Sequence, residues 1–142
     1  MAQIFNQDKF TPLSVQPPIY SDLFTNFDVH PNLHDLVIRK NEDAVKGSIL
    51  NIINTNKYER PFNPDFGSNI RKALFEPIMP ETQDKLQTEI QSAIENYEPR
   101  ARILGVVCTP YEDQNAYAVT ITFYVINITN PVTLNTILYR VR

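Results

Sequence analysis

The period of the apolar positions changes twice along the chain. Between residues 21 and 40, "SDLFTNFDV" and "HDLVIRK" are short apolar-rich runs joined through "HPN", which predicts two strands. Val45, Ile49, Ile52 and Ile53 then recur at helical spacing. Asn41 precedes them as a side-chain cap, and Glu42 and Asp43 occupy a first turn where acids are favourable, so a helix is expected near 42–54. "NTNKYERPFNPDFGS" reads as a loop stiffened by Pro61 and Pro64. "SNIRKALF" (68–75) reads as a short helix with Ile70, Leu74 and Phe75 facing inward. Thr82 is placed to cap the longest helix, near 82–98, whose apolar stripe is Leu86, Ile90, Ala93, Ile94 and Tyr97.

After residue 100 the period falls to two. "RILGVVCT" is almost continuously apolar and predicts a buried strand, and "EDQN" predicts a turn. From 117 to 126, Tyr117, Val119, Ile121, Phe123 and Val125 alternate with Ala118, Thr120, Thr122 and Tyr124, the clearest strand pattern in the chain. "NITNP" interrupts, and "VTLNTILYRVR" closes as a strand with Ile137, Tyr139 and Val141 on one face. The order is ββ-α-α-α-β-β-β. It predicts an α+β fold, a small mixed or antiparallel sheet with about three helices packed on one face. Residues 1–20 carry three prolines in "TPLSVQPPIY" and no sustained period, so they read as an extended N-terminal arm before one α+β domain over 21–142.

Composition narrows the function classes. With 142 residues and 42% hydrophobic content, the chain suits one domain with a real core. A net charge of −3 argues against nonspecific nucleic-acid binding, and no apolar run approaches the ~20 residues of a membrane span. The N-terminus lacks the basic start and apolar stretch of a signal peptide. The single cysteine, Cys108, sits in an apolar run and reads as a core residue. His30 and His34 flank Pro31 and cannot share a helical face as a metal pair. Three scattered glycines cannot form a phosphate loop. Acids such as Glu76, Glu98, Glu112 and Asp113 are present, but nothing selects a pair about 5–10 Å apart across a cleft, as a glycosidase needs. Neither catalysis nor a cofactor is expected.

One local rule is broken. Pro99 should stop the long helix near Glu98, which leaves an anion at the negative end of the helix dipole. Arg100 and Arg102 follow it. An exposed local ion pair would be worth about 0–1 kcal/mol. The other reading is that Pro99 presents Glu98 and Arg100 to neighbouring subunits, where a partner's charge offsets the dipole.

Two stretches carry a resemblance. "RPFNPDFGSNIRKALFEP" has the pattern R-P-x-x-P-x-F-G…L-F-E at Arg60, Pro61, Pro64, Phe66, Gly67, Leu74, Phe75 and Glu76. About twenty residues later, "NYEPRARI" has Glu-Pro-Arg at Glu98, Pro99 and Arg100. Over roughly residues 40–130 the chain resembles the contractile-tail baseplate wedge and sheath-initiator family, which includes the sheath initiator of T-even phages and the TssE subunit of type VI secretion systems. The resemblance implies a structural protein of the virion tail baseplate, assembled in the host cytoplasm. It implies contacts with other wedge proteins and with the tail tube or hub, and no nucleic acid or membrane partner. The partner residues it implies are Arg60, Asp65, Glu76, Glu98, Pro99 and Arg100. The last strand, through Ile137, Tyr139, Arg140 and Val141, has edge-strand features and is implied to accept an arm of the sheath protein. A type VI baseplate subunit is the alternative within the family. A lysozyme-like cell-wall hydrolase is the alternative outside that role, and no hydrolytic site in these motifs supports it.

Overall fold

A computed structural model describes residues 19–140 except 25 and 33. The expected arm up to residue 18, Val141 and Arg142 lie outside the described residues. Two short strands, β1 (Ser21–Leu23) and β2 (Ile38–Lys40), pair antiparallel and lead into helix α1 (Asn41–Asn54). A loop follows, then the single turn α2 (Ile70–Ala73) and the long helix α3 (Pro80–Tyr97). The chain closes with a three-stranded antiparallel meander, β3 (Ala101–Tyr111), β4 (Ala116–Val125) and β5 (Pro131–Tyr139), in spatial order β3-β4-β5. Among the described residues, both β3 and β5 are therefore edges of this sheet.

The alternation in β4 sets the core. Tyr117, Val119, Ile121, Phe123 and Val125 are all fully buried beneath the helices. The α3 stripe of Leu86, Ile90 and Ile94 meets them, together with Val45, Ile49 and Ile53 of α1. Apolar side chains at period 3.6 on the helices thus cover those at period 2 on one sheet face. Tyr20 packs against this core, and its hydroxyl donates to the Ile126 carbonyl at 3.2 Å.

Four expectations need correction. Asn41 does not cap α1: its Oδ1 accepts the backbone N–H groups of Ile19 (2.9 Å) and Tyr20 (3.4 Å), tying the incoming chain to the helix start. Thr82 does not cap α3 either. The helix starts at Pro80, whose fixed φ and missing N–H suit a first position, and the Thr82 hydroxyl donates to the Pro77 carbonyl at 2.9 Å. The apolar run in β3 is not a doubly buried strand. Its outer face is open, with Leu104 and Val107 exposed, and the register shifts between Ile103 and Gly105, leaving Leu104 as the extra residue of a bulge. Phe75 does not face inward but is exposed.

Candidate assembly surface

The last turn of α3 ends where proline requires it. Glu98 leaves helical geometry at φ −124° and ψ 79°, as the residue before a proline tends to. Its backbone N–H still donates to Ile94 (2.8 Å), and its carbonyl accepts from Ala101 (3.1 Å), so a tight turn feeds β3 directly. This turn aims Glu98 into the body: the residue is 2% exposed. Arg100 closes over it. Its Nε donates to Glu98 Oε1 at 2.7 Å and a terminal nitrogen donates to Oε2 at 2.9 Å, a two-point grip. The two terminal nitrogens of the same guanidinium also donate to Asp22 Oδ2 on β1, each at 3.2 Å. The Tyr20 ring lies 5.6 Å from the guanidinium carbon. One arginine thus clamps the end of α3 to the β1–β2 hairpin.

The electrostatics follow from this arrangement. Burial by itself would raise the Glu98 pKa, but hydrogen bonds from Arg100 and Ser48 and the charge of Arg100 outweigh it and hold the carboxyl below its ordinary 4.5. The Glu98 hydrogen bond, acting against burial, holds the Arg100 guanidinium more firmly protonated, with Asp22 adding to it. The charge that opposes the helix dipole is therefore met within the chain, by Arg100. Arg100 itself keeps a quarter of its side chain exposed.

The first motif reaches the same helix end from another side. The Phe66 ring packs on Tyr97 at 4.9 Å between centroids, and the Tyr97 hydroxyl donates to the Asp65 carbonyl. Arg60 stacks over Phe66 at 3.8 Å, in cation–π contact. Asp65 contributes its backbone here and does not cap α2, whose N-cap position is Asn69. Gly67 is required twice over. Its φ is +116°, and a Cβ would lie 2.5 Å from the Thr55 carbonyl oxygen, which accepts the Ser68 N–H at 2.9 Å. Glu76 stands apart, in an ion pair with Lys85 of α3.

The third group lies on β5. Ile137 (51% exposed) and Tyr139 (61%) project from the outer sheet face, while Val132, Leu134 and Leu138 enter the core. Arg140 turns back over the meander: its N–H donates to the Asn115 carbonyl at 3.0 Å, and its guanidinium reaches Asn115 Oδ1 at 3.4 Å. So Arg60, Asp65, Glu98 and Arg100 gather around one helix end, and Ile137, Tyr139 and Arg140 form a separate edge. Asp22 completes the clamp and Ser48 adds to the electrostatics of Glu98; neither is singled out by the sequence. Asp22 is 78 residues from Arg100, and no local pattern marks such a pair.

The profile of the baseplate wedge protein gp25 family matches residues 39–130, which contain both motifs. The chain belongs to that family. It is 43% identical over 84 residues to the baseplate wedge protein gp25 of Enterobacteria phage T4. That segment spans 59% of this chain and 64% of the T4 protein, just under two thirds of its length. Among solved structures, the fold resembles a candidate tail lysozyme from Geobacter sulfurreducens (TM-score 0.70, 27% identical, covering 75% of this chain and 97% of that one). It also resembles a chain of the anti-feeding prophage baseplate (TM-score 0.68, 23% identical, covering 77% and 87%), a likeness of fold alone.

Proposed function

We propose that this chain is a structural wedge subunit of a contractile phage-tail baseplate, joining inner subunits around the tube and starting the sheath. The observation that carries the reading is the rigid junction at the end of α3. There both motifs of the family meet the last turn of the helix, one through Arg60, Phe66 and Tyr97 and the other through the Glu98–Arg100–Asp22 clamp. Such a junction provides fixed charges on a stiff support, which an assembly contact needs for register. Glu98 acts in this reading as the residue that positions Arg100, and Arg100 and Asp22 meet the neighbour. The β5 edge is the second contact. Its free side accepts an extended arm of the sheath protein, with Ile137 and Tyr139 beside it. Assembly takes place in the host cytoplasm.

The role proposed is not hydrolytic. A glycosidase acid needs a carboxyl with a raised pKa, and the most buried acid among the described residues, Glu98, is pushed the other way. Purified protein is expected to leave peptidoglycan turbidity unchanged; clearing that is lost on changing a single acid would overturn this. Wedge function is tested by complementation. Tails made without this chain should lack sheathed baseplates, and the wild-type chain should restore them. Ile137→Asp with Tyr139→Asp should restore baseplates but not full sheaths. Truncation of β5 is unsuitable, because Val132, Leu134 and Leu138 belong to the core. Normal sheaths on the double variant would refute the β5 contact.

A further inference from the structure

A groove of about 280 Å³ lies between the first-motif loop and α2. Lys57 and Tyr58 line one side, and Arg71, Lys72 and Phe75 the other. No acidic residue lines it, although the whole chain carries a net −3. Among the described residues, none of the three cations is in an ion pair. The nearby acids are engaged elsewhere. Glu59 Oε2 accepts the Asn56 N–H at 2.8 Å, and Glu76 is paired with Lys85. Glu89 lines an adjoining hollow beyond Lys72, not this one.

The two aromatics are presented rather than packed. Tyr58 is 79% exposed and Phe75 56%. Tyr58 holds a left-handed backbone, φ 69°, which is unfavourable for a bulky side chain. The surrounding loop enforces it: the Tyr58 N–H donates to the Pro64 carbonyl at 2.7 Å, and the Lys57 N–H to Ser68 at 3.3 Å. Backbone strain that the surroundings hold in place is concentrated at active sites, ligand clamps and switch regions. Phe75 belongs to the family pattern, yet the core does not use it.

We infer that this groove docks an acidic, extended segment of another baseplate protein, one that places carboxylates on Lys57, Arg71 and Lys72 and an apolar or aromatic side chain between Tyr58 and Phe75. Charge selects the occupant. Three uncompensated cations in a protein-lined groove favour carboxylates, and the flanking aromatics add apolar area at low entropy cost. This contact is separate from the Arg100 junction and adjoins the β5 edge, since Arg71 also lines the hollow beside Ile137 and Tyr139 and the Arg140 guanidinium reaches the Phe75 carbonyl at 3.5 Å; it rests on the wedge reading for the source of its partner.

A photo-crosslinking amino acid at position 75, in tails assembled with the full chain, tests it. The expected adduct joins this chain to another tail protein, through a peptide with excess Asp and Glu and at least one large apolar residue. Arg71→Glu with Lys72→Glu should lower the adduct yield at least tenfold without moving the melting temperature, because both side chains are exposed and unpaired. Tails that assemble normally but give no adduct would overturn the inference and leave the wedge reading intact. An adduct to a basic segment, to nucleic acid or to a second copy of this chain would also overturn it. A chain that never enters tails would refute the wedge reading, and with it the partner named here.

Discussion

Replacing Glu98 with glutamine removes the charge on which the clamp depends. In the native chain the carboxylate is 2% exposed and makes two charge-assisted hydrogen bonds, at 2.7 and 2.9 Å. Removing one partner of a buried pair costs about 3–5 kcal/mol. Two effects reduce this. Arg100 is a quarter exposed and keeps Asp22, so its stranded charge remains partly solvated and partly paired. Removing an anion from a helix C-terminus also returns about 0.3–1 kcal/mol. The net expectation is a loss of about 2 kcal/mol, or about 6–8 °C in melting temperature for a chain of this length. Thermal melts of the two proteins at pH 7 measure it. The pH dependence has a definite sign. The folded pKa of Glu98 lies below its ordinary 4.5, so the stability it contributes is complete above that pH and is lost as the pH falls through the lowered folded value. The gap between wild type and Glu98→Gln should therefore close only in acid. In an Arg100→Ala background the same change should matter far less, as coupled residues require. A Glu98→Gln protein that melts at or above the wild type would refute the internal clamp. It would mean that dipole and burial outweigh the Arg100 grip.

Three further outcomes are expected. Gly67→Ala should destabilise by about 2–4 kcal/mol in urea titration, since it forces a side chain into a positive φ and against the Thr55 carbonyl; a loss under 0.5 kcal/mol would contradict the close approach. Leu138→Ala, at a core position, should cost about 2–4 kcal/mol, while Ile137→Ala one residue away should stay within about 0.5 kcal/mol; equal losses would contradict the register of β5. Cys108, fully buried and with its thiol pKa pushed up to about 11 by that burial, should resist a thiol-specific disulfide reagent at pH 8 until urea unfolds the chain; reaction at the rate of a free thiol would contradict its place in the core.

The elements whose periods are long and clean could be read from the sequence. The β4 alternation from Tyr117 to Val125 and the α3 stripe from Leu86 to Ile94 are where the sequence puts them, because packing against each other enforces both periods. Helix starts were less legible. Asn41 and Thr82 have the chemistry of caps, but other backbone groups engage their side chains, the distant Ile19 and Tyr20 N–H groups for Asn41 and the nearby Pro77 carbonyl for Thr82. The apolar run of β3 overstates its burial, because a strand at a sheet edge can be apolar on an uncovered face and periodicity does not report whether a neighbour covers it. At the candidate site, the anomaly of an anion at a helix end was visible, and so was the nearby arginine. Its resolution was not, since the turn that buries Glu98 and the long-range partner Asp22 are products of tertiary structure. Helical spacing predicts Phe75 in the core, but α2 ends at Ala73 and the spacing no longer governs where Phe75 points.

The wedge reading is tested most directly by a cryo-EM map of the assembled, sheathed tail. It predicts this chain in the baseplate, with the Arg100–Asp22 surface against another wedge subunit and an extended segment of a sheath protein hydrogen-bonded along the free edge of β5. A baseplate that lacks the chain would contradict it. So would one in which both the Arg100 surface and the β5 edge face solvent.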